Sequence, residues 1–230
     1  MLGQRLAMVI DLHRCVGCAA CDIACKSENN VPHDFHWSNH IIETAGSFPE
    51  VKYRYIPTLC NHCGDAPCVE VCPTGAMYKD DRGLTLHDAP TCIGCRSCQL
   101  ACPYGAIYFN EDRPFRALEE TKPLIKGCTP GGAELIQKTG ENPPHYNPDR
   151  ARTADGVRRK GVVEKCTLCD HRLEQGKEPW CVVSCPAEAR TVGDINDPKS
   201  KASLLLAKHS PRVLNKEQGT HPHVFYIREF

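Results

Sequence analysis

The sequence predicts an α+β fold formed by internal duplication. One cysteine-bearing module is nested inside another, and a long loop-rich insertion precedes the second half of the outer one. Seventeen of the 230 residues are cysteine, and sixteen of these fall into four groups of four. The second and third groups are close, with Cys72 and Cys92 20 positions apart, whereas 140 residues separate Cys25 from Cys166. The first and fourth groups therefore pair around the outside. Aromatic residues make up only 7%, while 17 Gly and 18 Pro mark a turn-rich chain. Such a composition is too poor in large apolar side chains for a conventional core, so something besides hydrophobic burial must hold the chain together. The predicted bounds are 1–55 with 162–230 for the outer module, 56–110 for the inner module and 111–161 for the insertion.

The spacings carry the chemistry. Cys15, Cys18, Cys21 and Cys25 read C-x2-C-x2-C-x3-C, and Cys92, Cys95, Cys98 and Cys102 repeat it. Cys60, Cys63, Cys68 and Cys72 widen the middle gap to four residues; Cys166, Cys169, Cys181 and Cys185 widen it to eleven. Three groups end in Cys-Pro, at Pro73, Pro103 and Pro186, and the first ends in Cys25-Lys26. A C-x2-C-x2-C loop wraps three thiolates around a cubane, and the fourth cysteine is carried off to the other cluster of a pair. The pattern is that of duplicated bacterial-type 2[4Fe–4S] ferredoxin modules, and four groups imply four [4Fe–4S] clusters. A disulfide framework would crowd its thiols too closely. Structural zinc would use two C-x2-C pairs per site and leave the third cysteine of each tight group unexplained.

Along the chain, only six apolar residues lie between Leu6 and Leu12, too few for a signal sequence, and no arginine pair stands near the start. Export would then depend on a partner that carries the signal. Lys79-Asp80-Asp81-Arg82-Gly83 predicts a hairpin turn before Leu84-Thr85-Leu86. The insertion, punctuated by Pro114, Pro123, Pro130, Gly131-Gly132, Pro143-Pro144 and Pro148, is expected to hold one short helix near Ala133–Lys138. Pro186–Ala189 reads as a helical turn. Asp197-Pro198 reads as a cap and first position of a helix reaching about Lys208, and Val224–Ile227 as a final strand. No apolar run approaches the ~18–20 residues of a spanning helix. Lys+Arg and Asp+Glu are both 28, which gives no field for nucleic acid or an anionic membrane.

Other candidates are single residues. Lys26 stands where the other groups have proline; it could raise a cluster potential, bridge to a partner, or simply be solvated. His62, inside a cluster loop, could tune a cluster by hydrogen bonding or merely pack. Cys128 is the odd cysteine and reads as a spare thiol. Arg150, Arg152, Arg158, Arg159 and Lys160 form a basic stretch, either a solvated loop or a docking surface for an acidic partner. Tyr53, Tyr55, Tyr104 and Phe109 are expected in the core, shielding clusters from water.

The order of the four groups resembles the four-cluster electron-transfer subunit of the dimethyl sulfoxide reductase class of molybdopterin oxidoreductases. Cys60-Asn61-His62-Cys63 with Ala66-Pro67-Cys68, Cys72-Pro73-Thr74-Gly75-Ala76, and Cys185-Pro186 running into Gly193-Asp194 support the likeness, which covers nearly the whole chain. Met8–Asp11, Cys25–Asn30, His36-Trp37-Ser38 and Val224–Arg228 look most like the small subunits of respiratory arsenate reductase and the related arsenite oxidase. Polysulfide, thiosulfate and dimethyl sulfoxide reductase subunits are close rivals. The resemblance implies four ligand sets: Cys15, Cys18, Cys21 with Cys185; Cys60, Cys63, Cys68 with Cys102; Cys92, Cys95, Cys98 with Cys72; and Cys166, Cys169, Cys181 with Cys25.

It also implies a chain with no catalytic residues of its own. That chain would carry single electrons between a large molybdopterin-containing catalytic subunit and either a quinol-oxidising membrane subunit or a multihaem cytochrome. The cluster of group one would lie nearest the catalytic subunit, with one of the inner module at the far end. The expected location is the periplasm or outer face of the cytoplasmic membrane, reached by co-export, and otherwise the cytoplasm. No nucleic-acid partner and no direct membrane span are expected. A free-standing polyferredoxin is the alternative; the long insertion and zero net charge favour a fixed complex.

Overall fold

The computed structural model describes residues 3–115, 117–142, 146–147 and 157–228. Arg150, Arg152, Pro143-Pro144 and Pro148 lie outside the described residues. In chain order the elements are β1 (Leu6–Asp11), α1 (Ala20–Asn29), β2 (Ser38–Ala45), β3 (Lys52–Leu59), α2 (Pro67–Glu70), β4 (Met77–Lys79), β5 (Thr85–His87), α3 (Ser97–Ala101) and β6 (Ile107–Phe109). There follow α4 (Gly132–Thr139), β7 (Val163–Lys165), α5 (Asp170–Glu174), α6 (Trp180–Val183), β8 (Arg190–Asp194), α7 (Lys201–Lys208) and β9 (Val224–Ile227).

Each cysteine group occupies the same local frame. A C-x2-C loop precedes a helix that bears the third cysteine: Cys21 in α1, Cys68 in α2, Cys98 in α3 and, with α5 intervening, Cys181 in α6. Three of those helices are very short, because a Cys-Pro step follows. Proline lacks the N–H and drives the preceding residue out of the helical region, as at Cys102, which is extended at φ −76° and ψ 112°. In the first group Lys26 replaces that proline, and α1 continues for ten residues, ending on Asn30 in the left-handed conformation.

The residue before each second cysteine is also left-handed: Gly17 (φ 68°), His62 (44°), Gly94 (70°) and Leu168 (57°). This turn directs loop amides at sulfur, as in an anion-binding nest. Gly94 N lies 3.4 Å from Cys92 Sγ and Leu168 N 3.3 Å from Cys166 Sγ. His62 and Leu168 adopt the conformation at a cost of about 1–2 kcal/mol each.

Four small sheets tie these frames together. The largest has the order β8-β1-β9, with β1 antiparallel to β8 (Met8 opposite Val192) and parallel to β9 (Met8 opposite Val224). β4 and β5 form the hairpin predicted around residues 79–83, closed by Gly83 N donating to Asp80 O. β6 pairs with β7, joining the end of the predicted inner module to the return of the outer one. Met8, Ile10, Leu84 and Val162 are fully buried, but Trp37 and Tyr226 are the only Phe, Tyr or Trp rings below the surface among the described residues, and cysteines share the core with the aliphatics. Among the described residues, no helix is long and apolar enough to cross a membrane.

Several expectations need correcting. α7 does not start at Asp197: that carboxylate accepts from Lys199 N in a turn, while Ser200 Oγ caps the helix by accepting from Ser203 N at 3.1 Å. Pro186–Ala189 forms a turn without becoming helix, because Glu188 is left-handed (φ 47°). Tyr53 is not core; it is half exposed on β3. The β2–β3 ribbon itself, eight residues on each strand, is an element that no sequence pattern announces.

The loop geometry sets a graded test. A Cβ on Gly94 would stand 2.0 Å from Gly161 O, whereas one on Gly75, also left-handed, meets open space. Gly75→Ala is therefore expected to cost about 1 kcal/mol from backbone strain, seen as a modest fall in Tm with full iron content. Gly94→Ala is expected to lose iron during assembly, measured by metal analysis of the purified protein.

Candidate metal centres

The structure gathers the sixteen grouped cysteines into four sets. One cavity is lined by Cys15, Cys18, Cys21 and Cys185, and another by Cys60, Cys63, Cys68 and Cys102. Cys25 is an electrostatic neighbour of Cys166, Cys169 and Cys181, and Cys98 of Cys92, Cys95 and Cys72. The sets are also neighbours of one another: Cys181 acts electrostatically on Cys21, and Cys60 on Cys166. Most of these thiols are buried, but Cys18 and Cys95 are exposed.

Burial drives the thiols up, Cys21 and Cys98 to about 11 and Cys68 and Cys169 to about 12, with Cys25 and Cys166 well above the usual range. Thiols in this state ionise only against strong positive charge. Four convergent soft sulfurs suit zinc or an iron–sulfur cluster. The crossed fourth cysteine and the amides aimed at sulfur fit a cubane.

Hydrogen bonds to sulfur recur at corresponding places. Met77 N donates to Cys72 Sγ (3.4 Å) and Ala189 N to Cys185 Sγ (3.3 Å), each from the first or preceding residue of the following strand. Asn29 Nδ2 reaches both Cys25 Sγ (3.7 Å) and Cys169 Sγ (3.6 Å).

Two buried cations join them. Lys165 is 1% exposed and lines the cavity of Cys60, Cys63, Cys68 and Cys102. Burial acts to lower its pKa, but Cys60, Cys68 and Cys166 outweigh that and hold it above its ordinary value. Arg190, 3% exposed, lines the cavity of Cys15, Cys18, Cys21 and Cys185. Burial is again outweighed, here by Cys181, Cys21 and Asp22.

The single-residue candidates resolve differently. Lys26 is neither solvated nor aimed at a cluster: its Nζ donates to the carbonyls of Pro32 (2.9 Å), His33 (2.9 Å) and Phe35 (2.5 Å), clamping the chain that follows α1. The His62 ring accepts from Thr85 N at 3.2 Å rather than bonding a cysteine, and burial holds it neutral, far below its usual pKa. Of the described residues of the basic stretch, Arg158 is not solvated: it is buried, pairs with Glu164 (3.1 Å), stacks over Trp37 and donates to Asn29 O and Asn30 O. Arg159 and Lys160 are exposed, Arg159 donating to Ala89 O and Cys92 O and Lys160 lying against Asp112. Cys128 is exposed and belongs to no set. Tyr55 does cover a cluster loop, since its ring fills the space beside Gly17.

Lys165 and Arg190 were missed, although the sequence held a signal for the second. Aligning the frames five residues past the fourth cysteine sets Arg190 against Met77 and Ile107, both buried at 2%. An arginine at a core strand position is out of place unless charge surrounds it.

Comparison with known proteins agrees with this geometry. A 4Fe-4S dicluster domain matches residues 51–118 with 152–195, and a second 4Fe-4S dicluster domain matches residues 14–76. The arsenate respiratory reductase iron–sulfur subunit of Shewanella sp. (strain ANA-3) is 54% identical over 228 residues, covering 99% of this chain and 97% of the relative. A selenate reductase subunit of Mesobacillus selenatarsenatis is 39% identical, covering 96% and 70%. A component of the polysulfide reductase of Wolinella succinogenes is 32% identical, covering 98% and 95%. With relatives of this identity aligned along almost its whole length, the protein belongs to the iron–sulfur electron-transfer subunits of the dimethyl sulfoxide reductase class of molybdopterin oxidoreductases.

Proposed function

We propose that this protein is the electron-transfer subunit of a respiratory arsenate reductase, carrying electrons between a molybdopterin catalytic chain and a quinol-oxidising membrane subunit or multihaem cytochrome. Identity of 54% over 99% of the chain, against 32–39% for the selenate and polysulfide relatives, carries the choice of arsenate. When bound, four [4Fe–4S] clusters supply the one-electron relay. The four cysteine sets described above are their ligands. The reading keeps the duplicated, nested organisation, with groups two and three inside groups one and four and residues 111–161 as the insertion.

The neighbour relations among the cysteines support a linear order. The set of Cys15 adjoins that of Cys166 through Cys21 and Cys181, and the set of Cys166 adjoins that of Cys60. The crossed Cys72 and Cys102 link the set of Cys60 to that of Cys95. The two ends are those with an exposed cysteine, Cys18 and Cys95. Both ends carry the same apolar pair: Val16 (62% exposed) and Ile23 (67%) beside Cys18, Ile93 (65%) and Leu100 (87%) beside Cys95. Exposed apolar side chains of this kind suit docking to partners. The catalytic chain is assigned to the Cys18 end and the quinol- or cytochrome-linked partner to the Cys95 end. The complex is assigned to the outer face of the cytoplasmic membrane, and recovery of the native protein only from cytosol would overturn that location.

Anaerobic purification from the native host is expected to yield about sixteen irons per chain, four cubanes, together with a molybdenum-bearing partner that reduces arsenate. Cys98→Ala should lower the iron to about twelve. Zinc in place of iron, or iron without any molybdenum partner, would sink the proposal.

Leu100→Glu tests the docking end separately. It should leave iron content intact but slow electron exchange with the quinol-linked or cytochrome partner about tenfold, the scale of about 1.4 kcal/mol, measured by stopped-flow reduction. An unchanged rate would remove Leu100 from the interface.

A further inference from the structure

Among the described residues the protein buries three cations but treats them differently. Arg158 is neutralised by Glu164. Lys165 and Arg190, among the described residues, have no carboxylate within ion-pairing distance. Lys165 Nζ donates to Thr85 O and to Cys166 O (2.7 Å), and it stands between the cavity of Cys60, Cys63, Cys68 and Cys102 and the set that begins at Cys166. Arg190 donates to Ser38 Oγ (3.1 Å), hydrogen-bonds Cys181, and lines the cavity of Cys15, Cys18, Cys21 and Cys185. It therefore stands between that set and the set of Cys25, Cys166, Cys169 and Cys181.

A buried cation without a paired carboxylate is costly unless another negative charge lies close. For both residues the nearest such charge is on sulfur, with Asp22 a lesser influence on Arg190. Reduction adds one further negative charge, so a fixed neighbouring cation stabilises the reduced form, and the low local dielectric strengthens the effect.

We propose that Lys165 and Arg190 are potential-setting residues, each raising the reduction potential of the two clusters that flank it. Lys165 acts on the sets of Cys60 and Cys166; Arg190 acts on the sets of Cys15 and Cys166. The set of Cys166 feels both cations, and the set of Cys95 feels neither. The inference rests on the assignment of the four sets as cluster ligands.

The test is an EPR-monitored redox titration of the intact complex carrying Lys165→Met, Lys165→Arg, Arg190→Gln or Arg190→Lys. Lys165→Met should lower two of the four midpoint potentials, each by at least a tenfold change in the reduction equilibrium, about 59 mV for one electron. Arg190→Gln should also lower two, sharing one with Lys165→Met, and one potential should move in neither variant. Lys165→Arg and Arg190→Lys should hold the midpoints near wild type. Unmoved midpoints, a uniform shift of all four, or the same pair moving in both variants would overturn the proposal. Should the neutral variants lose iron, full loading of the charge-retaining variants supports a role for charge, whereas equal iron loss in all four variants overturns it. Iron content near sixteen in every variant keeps the cluster assignment standing even where the potentials fail to move.

Discussion

Burying thiolate sulfur is the constraint on which the rest of this structure depends. Only two of the sixteen grouped cysteines are exposed, and desolvation alone would keep most of the others protonated at neutral pH. Every repeated feature of the fold counters that penalty. The left-handed loop residues turn amides toward sulfur, the strands after the Cys-Pro steps donate to the fourth cysteine, and two cations lie against sulfur without carboxylate partners. The clusters these sets are built for supply the remaining positive charge and cross-link loops too poor in aromatics to pack by themselves. The anomaly in composition and the anomaly in electrostatics thus have one cause.

The same constraint gives a reason for the pairing of strands from distant parts of the chain. β6 of the inner segment pairs with β7 of the outer one, and β7 ends on Lys165, directly before Cys166. Strand pairing therefore delivers the cation to the junction between two cysteine sets. The neighbouring Glu164 receives Arg158, Trp37 and Asn110, closing the layer above with its charges matched. Separating the segments would strip Lys165 from the set of Cys60 and cost Glu164 its bond from Asn110.

What the sequence disclosed was whatever is encoded locally. The cysteine spacings, the turn at residues 80–83, α4 and β9 each follow from a few contiguous residues. The β2–β3 ribbon escaped because it stands away from the core: Ile41, Ile42, Val51 and Tyr53 are exposed, so no alternation of buried and exposed positions marks it. The start of α7 was misread because Asp197-Pro198 has the chemistry of a cap but uses it in the preceding turn. Arg158 looked solvated because its partners, Glu164 and the carbonyls of Asn29 and Asn30, are set by tertiary packing. Lys26 looked like a cluster neighbour for the same reason.

Duplication also explains how four similar frames come to serve different places in one row. At the position after the first cysteine, groups one and three carry Val16 and Ile93, both exposed; groups two and four carry Asn61 and Thr167, 1% and 3% exposed. At the next position the former have Gly17 and Gly94, while the latter force buried His62 and Leu168 into the left-handed conformation. A glycine there leaves the loop thin and its cysteine near solvent; a bulky residue seals the loop at a cost in strain. The loops with a bulky left-handed residue thus accept strain and bury their second cysteine, and the glycine loops remain thin and leave theirs exposed. His62, which by its position between two cysteines could tune a cluster or merely pack, acts as such a seal, its ring accepting from Thr85 N. Whether a loop's second cysteine is sealed or exposed thus follows two residues in each loop.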